Sequence, residues 1–458
     1  MKSFKILTFG CQMNEHDSEK LAGLLKAEGY RESERLEDAG LVLLNTCSIR
    51  EKAEQKFYSA LGKLRELKEQ NPSMKIAVSG CIAQQEGNSV LKRAPFVDVL
   101  FGNQNIGRLP YLLEETGGQA SGRRAATEFP EGYEHASIPA SRGNAVTSFV
   151  NIMYGCDNFC TYCVVPFVRG RERSRKPGDI IREIEELVKS GCREVTLLGQ
   201  NVNSYGIITP PSPSYIKRGT EGALLGNINE RYCDFPSLLQ MINAIDGLLR
   251  IRFVTSHPKD LSDSLIDAMA NLPKVCNAIH LPLQSASDGV LGRMNRKYTF
   301  EDYMNRLGAL KDAVPGLAVS TDIIAGFPGE TDDDFRTTLR ALEDIRYDGI
   351  FAFKYSRRPM TAAQRLPGHL PENVKDERLY KVLEVQDRIM REKIGARVGL
   401  VEEALVEGPD KSGARGRLTG KTTQGKIVNF DGPPELVGRL VQVKIIEGKK
   451  HSLAGKII

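Results

Sequence analysis

Apolar and polar positions change period several times along the chain, and the changes mark out its parts. In the first hundred residues short apolar runs alternate with stretches of helical spacing. "SFKILTFG" reads as a buried strand, and "DSEKLAGLLKAEG" after it places its apolar residues on one helical face. "LVLLNT" is a second strand, followed by the helical "EKAEQKFYSALGKLRELKEQN"; "KIAVSG" and "VDVLFG" supply a third and fourth strand. Strand alternating with helix predicts a doubly wound parallel sheet over residues 1–106.

From 107 to 144 the periodicity disappears into "GGQASGRRAATEFPEGYEHASIPASRG", whose Gly, Ser, Pro and charged residues read as a linker. Strands then resume at "TSFVNIM", "EVTLLG", "RIRFVTS", "AIHLPL", "LAVSTDII" and "GIFAFKYS", with helices such as "PGDIIREIEELVKSG" between them. Six such units over residues 145–396 predict an incomplete TIM-like (βα)6 barrel, interrupted by an insertion at 207–230. Past the long helix "NVKDERLYKVLEVQDRIMREKIGARV", residues 397–458 break into short strands with Gly turns, the pattern of a small antiparallel β-barrel. The fold class is α/β, with three domains and a linker.

Composition narrows the class without choosing a function. The 458 residues are 41% hydrophobic and 26% charged, with a net charge of +5, as in ordinary soluble proteins. No apolar run approaches the roughly 18 residues of a membrane span, and "MKSFKILTFG" lacks a signal peptide's apolar core. A cytoplasmic protein with no membrane partner is the expectation. Nine cysteines are then expected to be reduced, and available to metal or catalysis.

Three of them, Cys156, Cys160 and Cys163, follow directly on the first barrel strand in "VNIMYGCDNFCTYCVVPFVRGRERSR". Thiolates are soft ligands, suited to iron–sulfur clusters and to zinc. A structural zinc site wants four closed ligands. Here no fourth is near, and three thiolates on a four-iron cluster leave one iron open. The end of a barrel strand is also where barrel enzymes place their chemistry. A second set, Cys11 in "TFGCQMN", Cys47 in "LNTCSIR" and Cys81 in "VSGCIAQQ", has each thiol just after a strand of the N-terminal sheet. Ligands gather at that edge of open α/β sheets, so these thiols are expected to converge, against the alternative of three buried structural cysteines. Cys192, Cys233 and Cys276 have no such placement and read as ordinary residues.

The triplet and its barrel resemble the radical S-adenosylmethionine enzymes. The resemblance implies that the open iron binds the amino and carboxylate groups of S-adenosylmethionine, whose reductive cleavage releases a 5′-deoxyadenosyl radical. It also implies that Tyr162 packs near the adenine. With the three-thiol domain in front and the small barrel behind, the chain resembles the methylthiotransferases over its whole length. "FGCQMNEHDSEK", "NTCSIREKAEQK", "LLGQNVNSYG", "HLPLQSASDGVLGRMNRKYT" and "TDIIAGFPGET" carry that likeness. It implies two 4Fe-4S clusters, with Cys11, Cys47 and Cys81 holding the sulfur to be transferred. It further implies insertion of sulfur at carbon 2 of the isopentenyladenosine beside the tRNA anticodon, at position 37, and methylation of that sulfur. One S-adenosylmethionine supplies the methyl group and another the radical. The implied partners are tRNA carrying isopentenyladenosine, a reductant such as a flavodoxin or ferredoxin, and a sulfur donor; the protein is expected to be a monomer. Two alternatives remain at this point. One keeps the chemistry on a threonylcarbamoyl-adenosine tRNA or a ribosomal aspartate. The other is a non-catalytic iron–sulfur RNA-binding protein. Ala286 and Met360 stand where the family pattern leads one to expect glycine.

Other residues are placed by strand ends. Gly199, Gln200 and Asn201 follow the second barrel strand, Ser256 and His257 the third, and Gln284 and Ser285 the fourth; all but His257 are expected at the S-adenosylmethionine site. "GFPGE" reads as a tight turn before a helix at Thr331 and not as a phosphate loop, since it lacks the lysine. Arg169, Arg171, Arg173, Arg175 and Lys176 beside the triplet are expected to meet RNA phosphates. Residues 397–458 hold 11 Lys and Arg against 7 Asp and Glu, an excess of four positive charges. This segment resembles the TRAM RNA-binding domain, and with Phe430 as its only aromatic it is expected to bind by charge.

Overall fold

The apolar runs at the N-terminus become a six-stranded parallel sheet. Its strands are β1 (Ser3–Thr8), β2 (Arg31–Glu32), β3 (Leu41–Thr46), β4 (Lys75–Gly80), β5 (Val99–Phe101) and β6 (Arg124–Ala126), in the order β2-β1-β3-β4-β5-β6. The computed structural model describes residues 2–48, 51–116, 124–129, 140–141, 146–206 and 233–458. Alternate side chains of the central strands feed two separate cores. Val42, Leu44, Ile76 and Val78 pack with Phe57, Leu61 and Leu64 of the helix Glu51–Gln70, while Leu41, Leu43 and Ala77 pack with Leu21 and Leu25 of the helix Gln12–Ala27. Burial on both faces is why these strands read as continuous apolar runs. The strand order reverses between β1 and β3, which makes their C-terminal ends the switch point of the sheet.

The expected linker is structured in part. Leu109, Leu112 and Leu113 of the helix Leu109–Glu115 pack into the second of those cores, and β6 adds the sixth strand. "RRAA" has too few apolar residues to announce a strand; β5 supplies the pairing. Residues 117–123, 130–139 and 142–144 of the expected linker, and the insertion at 207–230, lie outside the described residues.

The chain divides into two compact units. The first is Met1–Gly143 with Tyr154–Asp157 and Cys163–Glu172; the second is Asn144–Met153, Asn158–Tyr162 and Arg173–Ile458. In the second unit the six expected barrel strands are β7 (Thr147–Asn151), β8 (Glu194–Leu198), β9 (Arg250–Phe253), β10 (Ala278–His280), β11 (Ala318–Ala325) and β12 (Gly349–Lys354). They form two parallel three-stranded arcs, β9-β8-β7 and β10-β11-β12, with a single parallel bridge at Ile251–Val275 beside β9. Helices cover the outer side, where Val150, Val195, Ile251, Ile279 and Val319 share one core with Ile184, Leu238, Leu307 and Leu342. The "GFPGE" turn ends where expected: Thr331 caps the helix Asp332–Ile345 in a reciprocal capping box with Asp334.

The C-terminal strands, β13 (Val401–Pro409), β14 (Arg417–Thr422), β15 (Ile427–Asp431), β16 (Leu440–Gly448) and β17 (Leu453–Ile457), close into a barrel of order β13-β14-β15-β17-β16. It is antiparallel as expected save at one seam, where β15 and β17 pair in parallel. Phe430 is 1% exposed inside it and so offers nothing to stack a base upon.

This small barrel is fastened to the larger one by arginines. Arg250 and Arg252 of β9 donate to the carbonyls of Lys421, Thr422 and Thr423, and Arg252 also pairs with buried Glu194 at 2.8 Å. Of the two departures from glycine, Ala286 is buried in ordinary backbone, whereas Met360 is held at φ +69, in the left-handed region. A side chain there costs roughly 1–2 kcal/mol that glycine would not. Replacing Arg252 with Met strands the Glu194 carboxylate in the core. Denaturant unfolding is expected to show a loss of about 3–5 kcal/mol, largely recovered when Glu194→Met is added.

Candidate functional site

Two groups of cysteines stand at strand ends, and the first lies wholly within the first unit. In the first, Cys11 follows β1 and stands at the N-cap of the helix Gln12–Ala27; Cys47 follows β3; Cys81 follows β4 and opens the helix Cys81–Glu86. The three strands are immediate neighbours, so the thiols stand in a row across the switch point, with strands about 4.8 Å apart. Close approach is secured by glycines. A Cβ on Gly10 would lie 2.2 Å from Cys47 Cβ, and one on Gly80 2.3 Å from the Thr46 carbonyl, both at positive φ.

The thiols' electrostatics reflect their neighbours. Cys11 is lowered to about 6, chiefly by its hydrogen bond with Cys47, against burial, with help from Arg169 and the Asn14 N–H. Burial pushes Cys81 up; Arg169 and a 3.4 Å hydrogen bond from Asn103 oppose it. Among the described residues no three His, Cys, Asp or Glu side chains converge tightly enough for one ion. Three thiols on adjacent strand ends are soft donors of the kind that hold an iron–sulfur cluster.

Arg169 departs from expectation. Far from meeting RNA, it is 4% exposed, and its Nη2 donates to Asp17 Oδ2 and Asn14 Oδ1, both at 2.9 Å. Its backbone carbonyl accepts from Gln104, and Val168, next to it, packs on Cys81. Arg175 is likewise committed, to Glu183 at 2.8 Å and to the Asn151 carbonyl. Arg171 pairs with Asp157 at 2.7 Å but stays 66% exposed, and Arg173 and Lys176 are exposed. Only these last three keep a surface suited to phosphate.

The triplet loop follows β7. Cys156, Cys160 and Cys163 are all partly exposed, unlike Cys192, Cys233 and Cys276, which are buried. Cys160 accepts from Arg296 at 3.4 Å; the same guanidinium reaches the Tyr162 hydroxyl at 3.5 Å and the Pro282 carbonyl at 2.9 Å. Arg296 is 8% exposed, a buried positive charge beside a thiol, and it carries no spacing signal that would single it out within "GRMNRKYT". Tyr162 packs edge-on against Phe327, with ring centroids 6.4 Å apart.

At the C-terminal ends of the barrel strands the structure leaves buried polar atoms without partners: Gln200 Oε1, Asn201 Oδ1, both side-chain atoms of Asn203, Ser256 Oγ and Gln284 Oε1. Each unmet atom costs about 1–3 kcal/mol unless something polar meets it, so this edge fits a polar ligand such as S-adenosylmethionine. Thr255 and Gln284 are both held at φ +69, and backbone strain of this kind collects at binding sites. Asn201 gives its amide to Asp260 at 2.7 Å and offers only its oxygen. Two expected contacts are taken up elsewhere. Ser285 is bound to Thr338 and the Ser287 N–H, and Gly199 is required by packing, since a Cβ there would lie 2.4 Å from Met153.

On β12, Ile350 and Ala352 pack outward on the helix-side core, so Phe351 and Phe353 face inward. Phe351 is 51% exposed and meets the ring of His280 edge-on at 5.6 Å; His280 lies 3.4 Å from Asp322. Sequence alternation alone could have flagged this aromatic wall. His257 accepts the Lys259 N–H and packs on Tyr298. Burial, then Arg296 and Lys259, lower it from 6.5 to about 2, so it is neutral and no acid–base group.

Family models match three stretches: uncharacterized protein family UPF0004 over residues 3–102, the radical SAM superfamily over 150–342 and the TRAM domain over 395–458. The chain is 46% identical over 453 residues to a tRNA-2-methylthio-N(6)-dimethylallyladenosine synthase of Thermodesulfovibrio yellowstonii, covering 99% of this chain and 98% of that one. It is 46% identical over 456 residues to the one from Syntrophobacter fumaroxidans, covering 99% and 95%. Among solved structures, the radical S-adenosylmethionine methyltransferase TsrM of Kitasatospora setae aligns with TM-score 0.54 at 16% identity, over 80% of this chain and 75% of that one; this likeness speaks to fold.

A His257 held neutral contributes to the acid limb of stability. Below pH 6.5 the unfolded chain takes up a proton that the folded chain refuses, so stability falls from about pH 6.5 towards pH 2, by at most about 1.4 kcal/mol per unit. His257→Gln is expected to flatten that dependence in denaturant titrations across this window.

Proposed function

This chain belongs to the tRNA-2-methylthio-N(6)-dimethylallyladenosine synthases, radical S-adenosylmethionine enzymes with a TRAM domain, and on that premise we propose how its residues divide the work. Cys156, Cys160 and Cys163 hold one 4Fe-4S cluster, with Arg296 donating to Cys160. Cys11, Cys47 and Cys81 hold a second, the carrier of the sulfur to be transferred. The row of three thiols across the switch point of the N-terminal sheet is the observation that carries this two-cluster reading.

S-adenosylmethionine, when bound, would supply both the methyl group and the radical chemistry needed at carbon 2 of the base. The protein binds it with the unmet oxygens of Gln200, Asn201, Ser256 and Gln284, and Tyr162 forms part of the adenine wall. Phe351 and Phe353 give the barrel interior an apolar surface against which an unstacked, isopentenylated adenine at position 37 rests. The abstraction needs no general base, consistent with a neutral His257.

The tRNA backbone is taken by exposed cations. Arg171 and Arg173 stand beside the triplet. On the small barrel Lys444 and Lys456 are exposed and directly opposite one another on β16 and β17. Like charges so paired repel, and a phosphate between them turns that cost into affinity. A reductant such as a flavodoxin or ferredoxin and a sulfur donor complete the cycle, and the protein works as a cytoplasmic monomer. No helix among the described residues is long and apolar enough to cross a membrane.

The test is nucleoside analysis of tRNA, with and without the isopentenyl group, after incubation with reconstituted protein, S-adenosylmethionine and reductant. Product is expected only from the isopentenylated tRNA. Cys11→Ala/Cys47→Ala/Cys81→Ala is expected to lose about half the iron while still forming 5′-deoxyadenosine and making no methylthio product. Continued catalytic thiolation by that variant would refute the carrier role. Lys444→Gln/Lys456→Gln is expected to weaken tRNA binding and lower the slope of log K against log salt by about one to two; an unchanged slope would place the RNA platform elsewhere.

A further inference from the structure

The most unusual charge in the first unit is Arg169. It is 4% exposed and its ion-pair partner Asp17 1%. The two bonds to Asp17 and Asn14 use one guanidinium nitrogen, leaving donors on the other two. Asn14 Oδ1, which accepts from the guanidinium, also accepts from Cys11 Sγ at 3.8 Å. Asn103 donates both to Cys81 and to the carbonyl of Val168 beside Arg169, so the guanidinium stands among the thiols. Burial opposes its charge, and the Asp17 carboxylate 2.9 Å away holds it.

Fold stability does not explain such a group. A buried ion pair is often replaceable by apolar side chains at no loss, and the first core has Val, Leu and Phe in abundance. Nor is Arg169 isolated in sequence. It closes a segment that starts at Cys163: Val164 and Val168 pack on Cys81, and Asn103 donates both to Cys81 and to the Val168 carbonyl. Six residues after a thiol of the triplet, the chain is pinned among the N-terminal thiols.

Resting on the reading that Cys11, Cys47 and Cys81 hold an iron–sulfur cluster, we propose that Arg169 is a positioning residue for that cluster, its fixed counter-charge, and that through it the segment beginning at Cys163 is fastened to the cluster site. A thiolate-held cluster gains negative charge on reduction, so a guanidinium in contact raises its potential and favours retention of the thiolates. Asp17 moderates that effect and aims the guanidinium.

The experiment uses the full chain carrying Cys156→Ala, Cys160→Ala and Cys163→Ala, reconstituted anaerobically with iron and sulfide so that only the N-terminal cluster is read. Iron and sulfide content, loss of iron to a chelator, and midpoint potential by EPR-monitored titration are compared for Arg169→Met, Arg169→Lys, Asp17→Asn and Arg169→Met/Asp17→Asn. Arg169→Met is expected to shift the potential negative and to weaken iron retention about 10- to 100-fold. Asp17→Asn leaves the cation in place and shifts the potential positive. Arg169→Lys keeps charge but loses the fork, and falls between. The double variant buries no unpaired charge and serves where Arg169→Met alone fails to fold; it too is expected to show the negative shift. A double variant that folds, loads and matches the parent potential would overturn the proposal. If the parent itself takes up no iron, the two-cluster reading falls and the proposal with it, a result distinct from a loaded cluster indifferent to Arg169.

Discussion

A guanidinium taken out of water must find partners, and around Arg169 that requirement organises the thiol edge of the first unit. Asp17 and Asn14 come from the helix that Cys11 caps, so meeting the charge sets that helix's phase relative to β1. Gln104 holds the Arg169 carbonyl, and Asn103 ties Cys81 to the turn before it. None of these groups would be tolerated at such burial alone; each is admitted because the others are present. The site is therefore a polar knot beside two apolar cores, and the thiols inherit their placement from it.

Both units solve the same problem in the same way: parallel strands end together, and reactive groups stand on the ends. In the first unit the strands have side chains buried on both faces, and Gly10 and Gly80 let the ends come close enough for thiols to converge. In the second the barrel is left incomplete, and polar atoms of Gln200, Ser256 and Gln284 remain unmet while Thr255 and Gln284 hold strained backbone. These costs fall at the ligand edge, and the helix-side core around Val195, Ile251 and Val319 offsets them. The arginines of β9 do comparable work at the small barrel, where carbonyls of Lys421, Thr422 and Thr423 find their donors.

What the sequence made legible was what repeats or what is spaced. The strand–helix alternation gave the parallel sheet and the six barrel strands, and the cysteines declared themselves by standing after strands. Charge was legible only as amount. Arg169, Arg171, Arg173 and Arg175 look alike in "RGRERSR", yet two are buried in ion pairs and two are exposed. Their fates depend on Asp17, Asn14 and Glu183, which lie far away in sequence or carry no pattern of their own. Arg296 was invisible for the same reason. The strand β6 was missed because its stability comes from β5 beside it and not from its own residues. Met360 was noticed as an oddity, and its left-handed backbone now gives the oddity a physical cost.

The interlacing of the first unit bears on how the protein is made. Cys81 leaves the ribosome well before Val164, Val168 and Arg169, which cover it in the finished fold. At 5–20 residues per second, the 88 positions from Cys81 to Arg169 take about 4 to 18 s to synthesise. Through that interval Cys81 lacks the side chains that cover it in the finished fold. Translation order thus leaves Cys81 uncovered for a time, whereas in the finished fold it is buried.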